Sequence, residues 1–97
     1  MNANLKISAV LVLITGNLCD GNLVLTRRSE KLRNHGGEIS FPGGTKEDLD
    51  LDLKETALRE TFEEINVTGK QINLIDELPE VSTSTGYLIK PYFGILK

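Results

Sequence analysis

The sequence predicts an α+β domain, a mixed β-sheet carrying a single helix. Three observations lead there. The segment "KISAVLVLIT", residues 6–15, is β-branched and apolar on both faces, as a strand covered on both sides must be. The segment "ALRETFEEI", residues 57–65, carries its apolar residues at helical spacing. "QINLIDEL" and "YLIKPYFGIL" then read as strands on either side of "PEVSTSTG", a Pro/Ser/Thr/Gly loop.

Taken in order, "GNLCDG" after the first strand holds Gly, Asn and Asp, residues that tolerate turn backbones. "NLVLTRR" reads as a second strand, which makes residues 5–28 a hairpin. Residues 29–38, "SEKLRNHGGE", are polar and glycine-bearing and form a loop. "ISF" is a short strand stopped by Pro42, and "PGGTKEDLD" a second loop. The helix starts near Asp52, an N-cap residue with Glu55 three positions on, as in a capping box. It runs to about Ile65, where Asn66 takes the left-handed position usually held by Gly. No second helix follows the last strand, so one sheet face is open or covered by a partner, which leaves room for a homodimer. We expect residues 1–97 to be one domain, C-terminally incomplete.

Composition narrows the function classes. A hydrophobic fraction of 39% with 26% charged residues is that of a folded domain and not of a disordered chain. The net charge of −3 argues against non-specific nucleic-acid binding. The apolar run from Ile7 to Ile14 is too short to span a bilayer, and no charged leader precedes it. Cys19 is the single cysteine, so no intrachain disulfide forms, and one cysteine and one histidine far apart in sequence argue against a structural zinc site. The expectation is a soluble, cytoplasmic protein with neither nucleic acid nor membrane as partner.

The helix carries the chemistry. At about 100° per residue, Glu64 lies roughly 40° to one side of Glu60 and Glu63 roughly 60° to the other, so three carboxylates share a face. Leu58, Phe62 and Ile65 fall opposite, which predicts an apolar stripe inward and carboxylates outward. A solvated surface helix accounts for the division, but not for three like charges with no Lys at i+4. Hard oxygen donors at this spacing suit Mg²⁺ or Mn²⁺. The Gly-rich "FPGG", 41–44, ahead of the helix lets backbone approach a ligand closely. Together they suit a metal held against a phosphate chain.

These residues resemble the Nudix box. Gly44 is followed by five residues and Asp50, then eight residues and "RETFEEINV". Arg59-Glu60 and Glu63-Glu64 match in full. Asp50 stands for Glu with one additional residue before Arg59, Thr61 stands at an aliphatic position, and Asn66 stands for Gly. Residues 25–44, "LTRRSEKLRNHGGEISFPGG", are similar to a segment of the coenzyme A pyrophosphatase branch, and "STGYLIKPYFG" to a later one. The resemblance covers roughly residues 22–96.

The resemblance implies an α/β/α Nudix-type sandwich whose C-terminal helix is missing here. It implies a hydrolase that cuts a pyrophosphate bond in a nucleotide, most specifically in coenzyme A. It places divalent metal, Mg²⁺ or Mn²⁺, on Glu60, Glu63, Glu64 and the Gly43 carbonyl, with Glu60 the first candidate to activate water. Glu38 and Glu80 are further candidates for that base. Asp50, Arg59 and Gly44 support the box, Asp50 and Arg59 by pairing across the loop–helix junction. Arg27, Arg28, Lys31 and Arg33 cluster within seven positions of an acidic chain and suit the 3′-phosphate of coenzyme A; a solvated basic loop is the plainer reading. His35 contacts phosphate or braces its loop, and Tyr87 and Phe93 stack on adenine or pack the core. The alternatives are a Nudix hydrolase of another nucleotide and a nucleotide-binding Nudix module without catalysis.

Overall fold

The computed structural model describes residues 6–17, 19–27 and 38–97. The architecture is α+β, with the strand–strand–helix–strand–strand order elaborated by short additional strands. The two long strands, β1 (Lys6–Thr15) and β8 (Tyr87–Leu96), pair in parallel along their full length, from Lys6 opposite Tyr87 to Thr15 opposite Leu96. The other ladders of this sheet are antiparallel. On the outer edge of β1 lie β2 (Asn22–Val24) and β5 (Gly43–Thr45). On the outer edge of β8 lie β6 (Ile72–Glu77) and β7 (Val81–Ser82). A separate two-stranded ladder joins β3 (Thr26–Arg27) to β4 (Ile39–Ser40).

The hairpin stands, but its second strand divides at Leu25: β2 stays on β1 while β3 turns away to β4. The loop expected over residues 42–50 is corrected, because Gly43–Thr45 is a strand on β1. A Cβ on Gly43 would lie 2.7 Å from the Val10 Cα and against the Ala9 carbonyl oxygen, so the strand closes only because the side chain is absent. Pro91 sits inside β8, where its missing N–H would break a ladder. Its carbonyl accepts from Leu78, past the end of β6 and before β7, so its ring nitrogen faces a gap in the neighbouring edge.

Helix α1 (Leu53–Ile65) packs on one face of the sheet. The Asp52 carboxylate accepts from the Glu55 N–H at 2.9 Å, and Asn66 closes the other end at φ 60°. The core joins Ala9, Leu11 and Leu13 of β1 to Ala57, Ile72 and Tyr92. The expected inward stripe is corrected in its rotation. Thr56, Ala57 and Thr61 are the buried helical residues, Leu58 and Ile65 flank them, and Phe62 is 47% exposed. Phe62 lies about 140° round the helix from Ala57. Small residues on the contact line bring the helix close to the sheet, and the acidic face turns with it. Thr61 belongs to that line: its hydroxyl is satisfied by the Ala57 carbonyl at 2.7 Å, so a polar residue occupies an apolar position without an orphaned group.

Gly43→Ala is expected to part β5 from β1 at a cost of about 1–3 kcal/mol, since the atoms it meets are mostly backbone and cannot step aside. Urea unfolding of the variant against the parent measures this.

Candidate functional site

The site is assembled by one arginine. Arg59 donates through Nε to Asp50 Oδ1 at 2.9 Å and through Nη2 to Asp50 Oδ2 at 3.0 Å, a two-pronged pair. Asp50 Oδ2 also accepts the Thr56 hydroxyl and the Glu47 backbone N–H, each at 2.9 Å. Four hydrogen bonds thereby meet a carboxylate only 4% exposed, one on Oδ1 and three on Oδ2. The Arg59 guanidinium, helped by these donors, holds the Asp50 carboxyl far below the usual carboxylate range. Arg59 in turn is pushed above its ordinary value, first by Asp50. Nη2 also reaches the Thr45 carbonyl at 3.1 Å, which ties β5 to the helix. The pair thus joins strand, loop and helix into one unit.

The remaining nitrogen, Nη1, faces outward. It lies 3.3 Å from carboxylate oxygens of Glu60 and Glu63 and 3.6 Å from Glu47 Oε2. The three acids differ in setting. Glu63 is 54% exposed in its side chain, and Glu64 is exposed. Glu60 is 18% exposed, because the helix rotation carries it to the sheet edge. Its carboxylate lies where a Cβ on Gly44 would be, with the Glu60 Cδ 2.5 Å from that point. Desolvation raises the Glu60 pKa; Glu63 and Glu64 add to the rise, and Arg59 opposes it.

Gly44 and Gly43 also border a cavity of about 700 Å³. Its walls include Val10, Ile89, Leu25, Phe41 and Tyr87, with Glu38 and Ser40 among the polar groups. A partly desolvated carboxylate therefore lies against the glycine strand that walls the cavity. Among the described residues, no three acidic, histidine or cysteine side chains gather into a ready-made metal cage. The donor set nevertheless fits a hard divalent cation. It is all oxygen, Glu60 is destabilised by the like charges of Glu63 and Glu64, and a cationic nitrogen already sits between Glu60 and Glu63.

The structure brings Gly43, Gly44, Asp50, Arg59, Glu60 and Glu63 together, with Glu64 on the same helix. Glu38 lines the cavity. Arg27 ends β3, and Tyr87 borders the cavity with the Lys6 ammonium 5.7 Å from its ring centroid. Phe93 faces away from the helix, in register with Val12. Glu80 is exposed between β6 and β7; the Lys90 pKa is raised first by its hydrogen bond to Glu77 and the Tyr92 pKa first by desolvation, with Glu80 a minor contributor to each. Arg28, Lys31, Arg33 and His35 lie outside the described residues. Glu47 and Thr56 were not singled out by sequence, and both serve Asp50. Only the spacing of Thr56 three residues before Arg59, on the same helix flank, could have marked it.

A NUDIX domain family model matches residues 5–94. A Nudix hydrolase named NudL from Photorhabdus laumondii is 42% identical over 74 residues, 76% of this chain and 40% of that protein. The chain spans less than half the length of the curated relatives it matches. Among solved structures, a binary complex of the C. elegans Ap4A hydrolase superposes with a TM-score of 0.72 at 21% identity, over 94% of this chain and 66% of that one. The NUDIX domain of Shewanella oneidensis NrtR complexed with ADP ribose gives 0.72 at 22%, over 96% and 61%. Among the described residues, no helix is long and apolar enough to cross a membrane.

Two outcomes are expected. Gly44→Ala displaces only the tip of the flexible Glu60 side chain, so stability changes by less than about 1 kcal/mol while divalent-cation affinity falls; a melt and a Mn²⁺ titration separate the two. The second concerns pH. Asp50 titrates lower folded than unfolded, so its stabilisation is complete above the ordinary value of about 3.9 and is lost as pH falls toward the depressed one. Glu60 titrates higher folded than unfolded, so stability declines as pH climbs from about 4.3 through its raised value. Melting temperatures of metal-free protein across pH should show Asp50→Asn without the acid limb, and Glu60→Gln raised near pH 7 with the decline flattened.

Proposed function

Because the chain belongs to the NUDIX domain family, we propose that it hydrolyses a pyrophosphate bond within a nucleotide, with coenzyme A and its derivatives as substrates. The products are then 3′,5′-ADP and 4′-phosphopantetheine. The observation that carries the reading is the half-buried Glu60 carboxylate on the glycine strand, flanked by Glu63 and Glu64 and backed by the Arg59–Asp50 pair.

Glu60, Glu63, Glu64 and the Gly43 carbonyl would hold Mg²⁺ or Mn²⁺, which supplies charge neutralisation on phosphoryl oxygens and acidifies water. Glu60 is also the first candidate to accept the proton of the attacking water, since its carboxylate lies against the glycine strand that borders the cavity. Arg59 holds Glu60 and Glu63 at one end of the helix, and Asp50 fixes Arg59. Gly43 seats the strand on β1 and Gly44 seats the Glu60 carboxylate, and the cavity that both glycines border gives room for a nucleotide. Tyr87 offers an aromatic face there, and Glu38 is the second candidate base.

The coenzyme A assignment rests on residues 25–44 and on the "STGYLIKPYFG" segment. Arg27, Arg28 and Arg33 would read the 3′-phosphate, with His35 beside them. The same reading makes this a single Nudix domain working in the cytoplasm on a small nucleotide, as monomer or homodimer, without nucleic acid or membrane. A second reading, a nucleotide-binding module without turnover, has its support in the likeness to the NrtR NUDIX domain complexed with ADP ribose.

Chromatography of a Mg²⁺ reaction on coenzyme A beside its 3′-dephospho form is expected to show both products, with the intact form preferred. Equal rates would remove the 3′-phosphate from the reading, and binding without turnover would favour the module. Glu64→Gln should keep the fold and lower turnover by about a hundredfold; unchanged turnover would sink the metal assignment.

A further inference from the structure

The Arg59 guanidinium is used asymmetrically. Its Nε and Nη2 are committed at 2.9–3.1 Å to Asp50 and the Thr45 carbonyl, both within the strand–loop unit. Its Nη1 makes only longer contacts, 3.3 Å to Glu60, 3.3 Å to Glu63 and 3.6 Å to Glu47. A guanidinium is planar and rigid, so the first arm fixes where Nη1 must stand. Nη1 is therefore a stationary positive charge with three carboxylates that can come and go. Glu60 and Glu63 are the acids assigned to divalent cation under the proposed function, and this inference rests on that assignment. A carboxylate that turns to a divalent cation withdraws from Nη1. The nitrogen cannot follow, and its N–H groups would be left part-buried without an acceptor while the rest of the guanidinium stays on Asp50.

We infer that Glu47 is a positioning residue, which takes over Nη1 of Arg59 when Glu60 and Glu63 turn to the divalent cation. Three facts suit it to this. It belongs to the loop that Asp50 pins, and its own backbone N–H is one of the Asp50 donors. Its side chain is 65% exposed, so its movement disturbs no packing. It already points at the same nitrogen from the loop side, at the longest of the three distances. In the metal-free state Nη1 stands between Glu60 and Glu63 as a substitute cation and lowers the repulsion between them. In the loaded state Glu47 keeps Nη1 satisfied, so the Asp50 pair and the helix stay where they are.

The test is Mn²⁺ binding followed by paramagnetic resonance and calorimetry, without any turnover. Glu47→Gln is expected to leave the metal-free melting temperature unchanged, because the backbone N–H and not the side chain serves Asp50, and to weaken Mn²⁺ binding by about tenfold. In an Arg59→Lys background, whose single ammonium stays on Asp50, the Glu47→Gln penalty is expected to vanish. Unchanged Mn²⁺ affinity in Glu47→Gln overturns the inference while the metal assignment stands. A penalty of the same size in both backgrounds also overturns it, since Glu47 would then act only as a nearby negative charge. A parent protein that takes up no Mn²⁺ overturns the metal assignment itself, and this inference with it.

Discussion

Everything at the candidate site depends on the fork between Arg59 and Asp50. A carboxylate taken out of water is costly unless each of its oxygens is met, and Asp50 is met by an arginine, a threonine and a backbone amide. The arrangement spans three kinds of structure. Arg59 and Thr56 come from the helix, Glu47 and Asp50 from the loop, and the Thr45 carbonyl from the strand that the glycines allow. Removing Arg59 would leave Oδ1 without a donor, whereas Oδ2 has three, so the arginine is the member the geometry depends on most. That is how a short loop with little core of its own is held in one conformation.

The second constraint is close approach. Gly43 lets its strand lie on β1, Gly44 leaves space for the Glu60 carboxylate, and Ala57 with the two buried threonines lets the helix settle onto the sheet. Small residues at these places set how far each element can move inward, and that depth determines how wet Glu60 is. The acid chemistry of the site is in this sense a packing result. The like charges of Glu63 and Glu64 finish what burial begins.

Much of the fold could be read from the chain, and the limits are instructive. The hairpin, the long strands and both helix ends follow from local rules, because β-branched runs, an Asp cap and a left-handed Asn act within a few residues of themselves. The grouping of the box residues was likewise visible in their spacing. What local pattern missed was decided by distant partners. Glycines argue against a strand, yet Gly43–Thr45 pairs with β1 because β1 stands too near for a side chain. Hydropathy placed Phe62 inward, but threonines capable of bonding their own helix took that face. The loop before the helix inverts the usual rule: Leu49 and Leu51 are 91% and 85% exposed while Asp50 between them is buried. No hydropathy reading finds such a residue, since its burial is bought by Arg59, nine positions away.

The parallel pairing of β1 with β8 has a consequence for how the protein is made. These strands stand about 80 residues apart in the chain yet form the longest ladder of the sheet. Bringing them together closes a large loop before any reward, which slows folding and raises its dependence on non-local contacts. During synthesis, β1 emerges first with an edge it cannot yet satisfy. The hairpin with β2 and the strand at the glycines protect one side of it early, while the other stays open until Leu96 has left the ribosome. A nascent chain stalled before that point would hold its most apolar strand half-paired, and would be the form of this protein most in need of a chaperone.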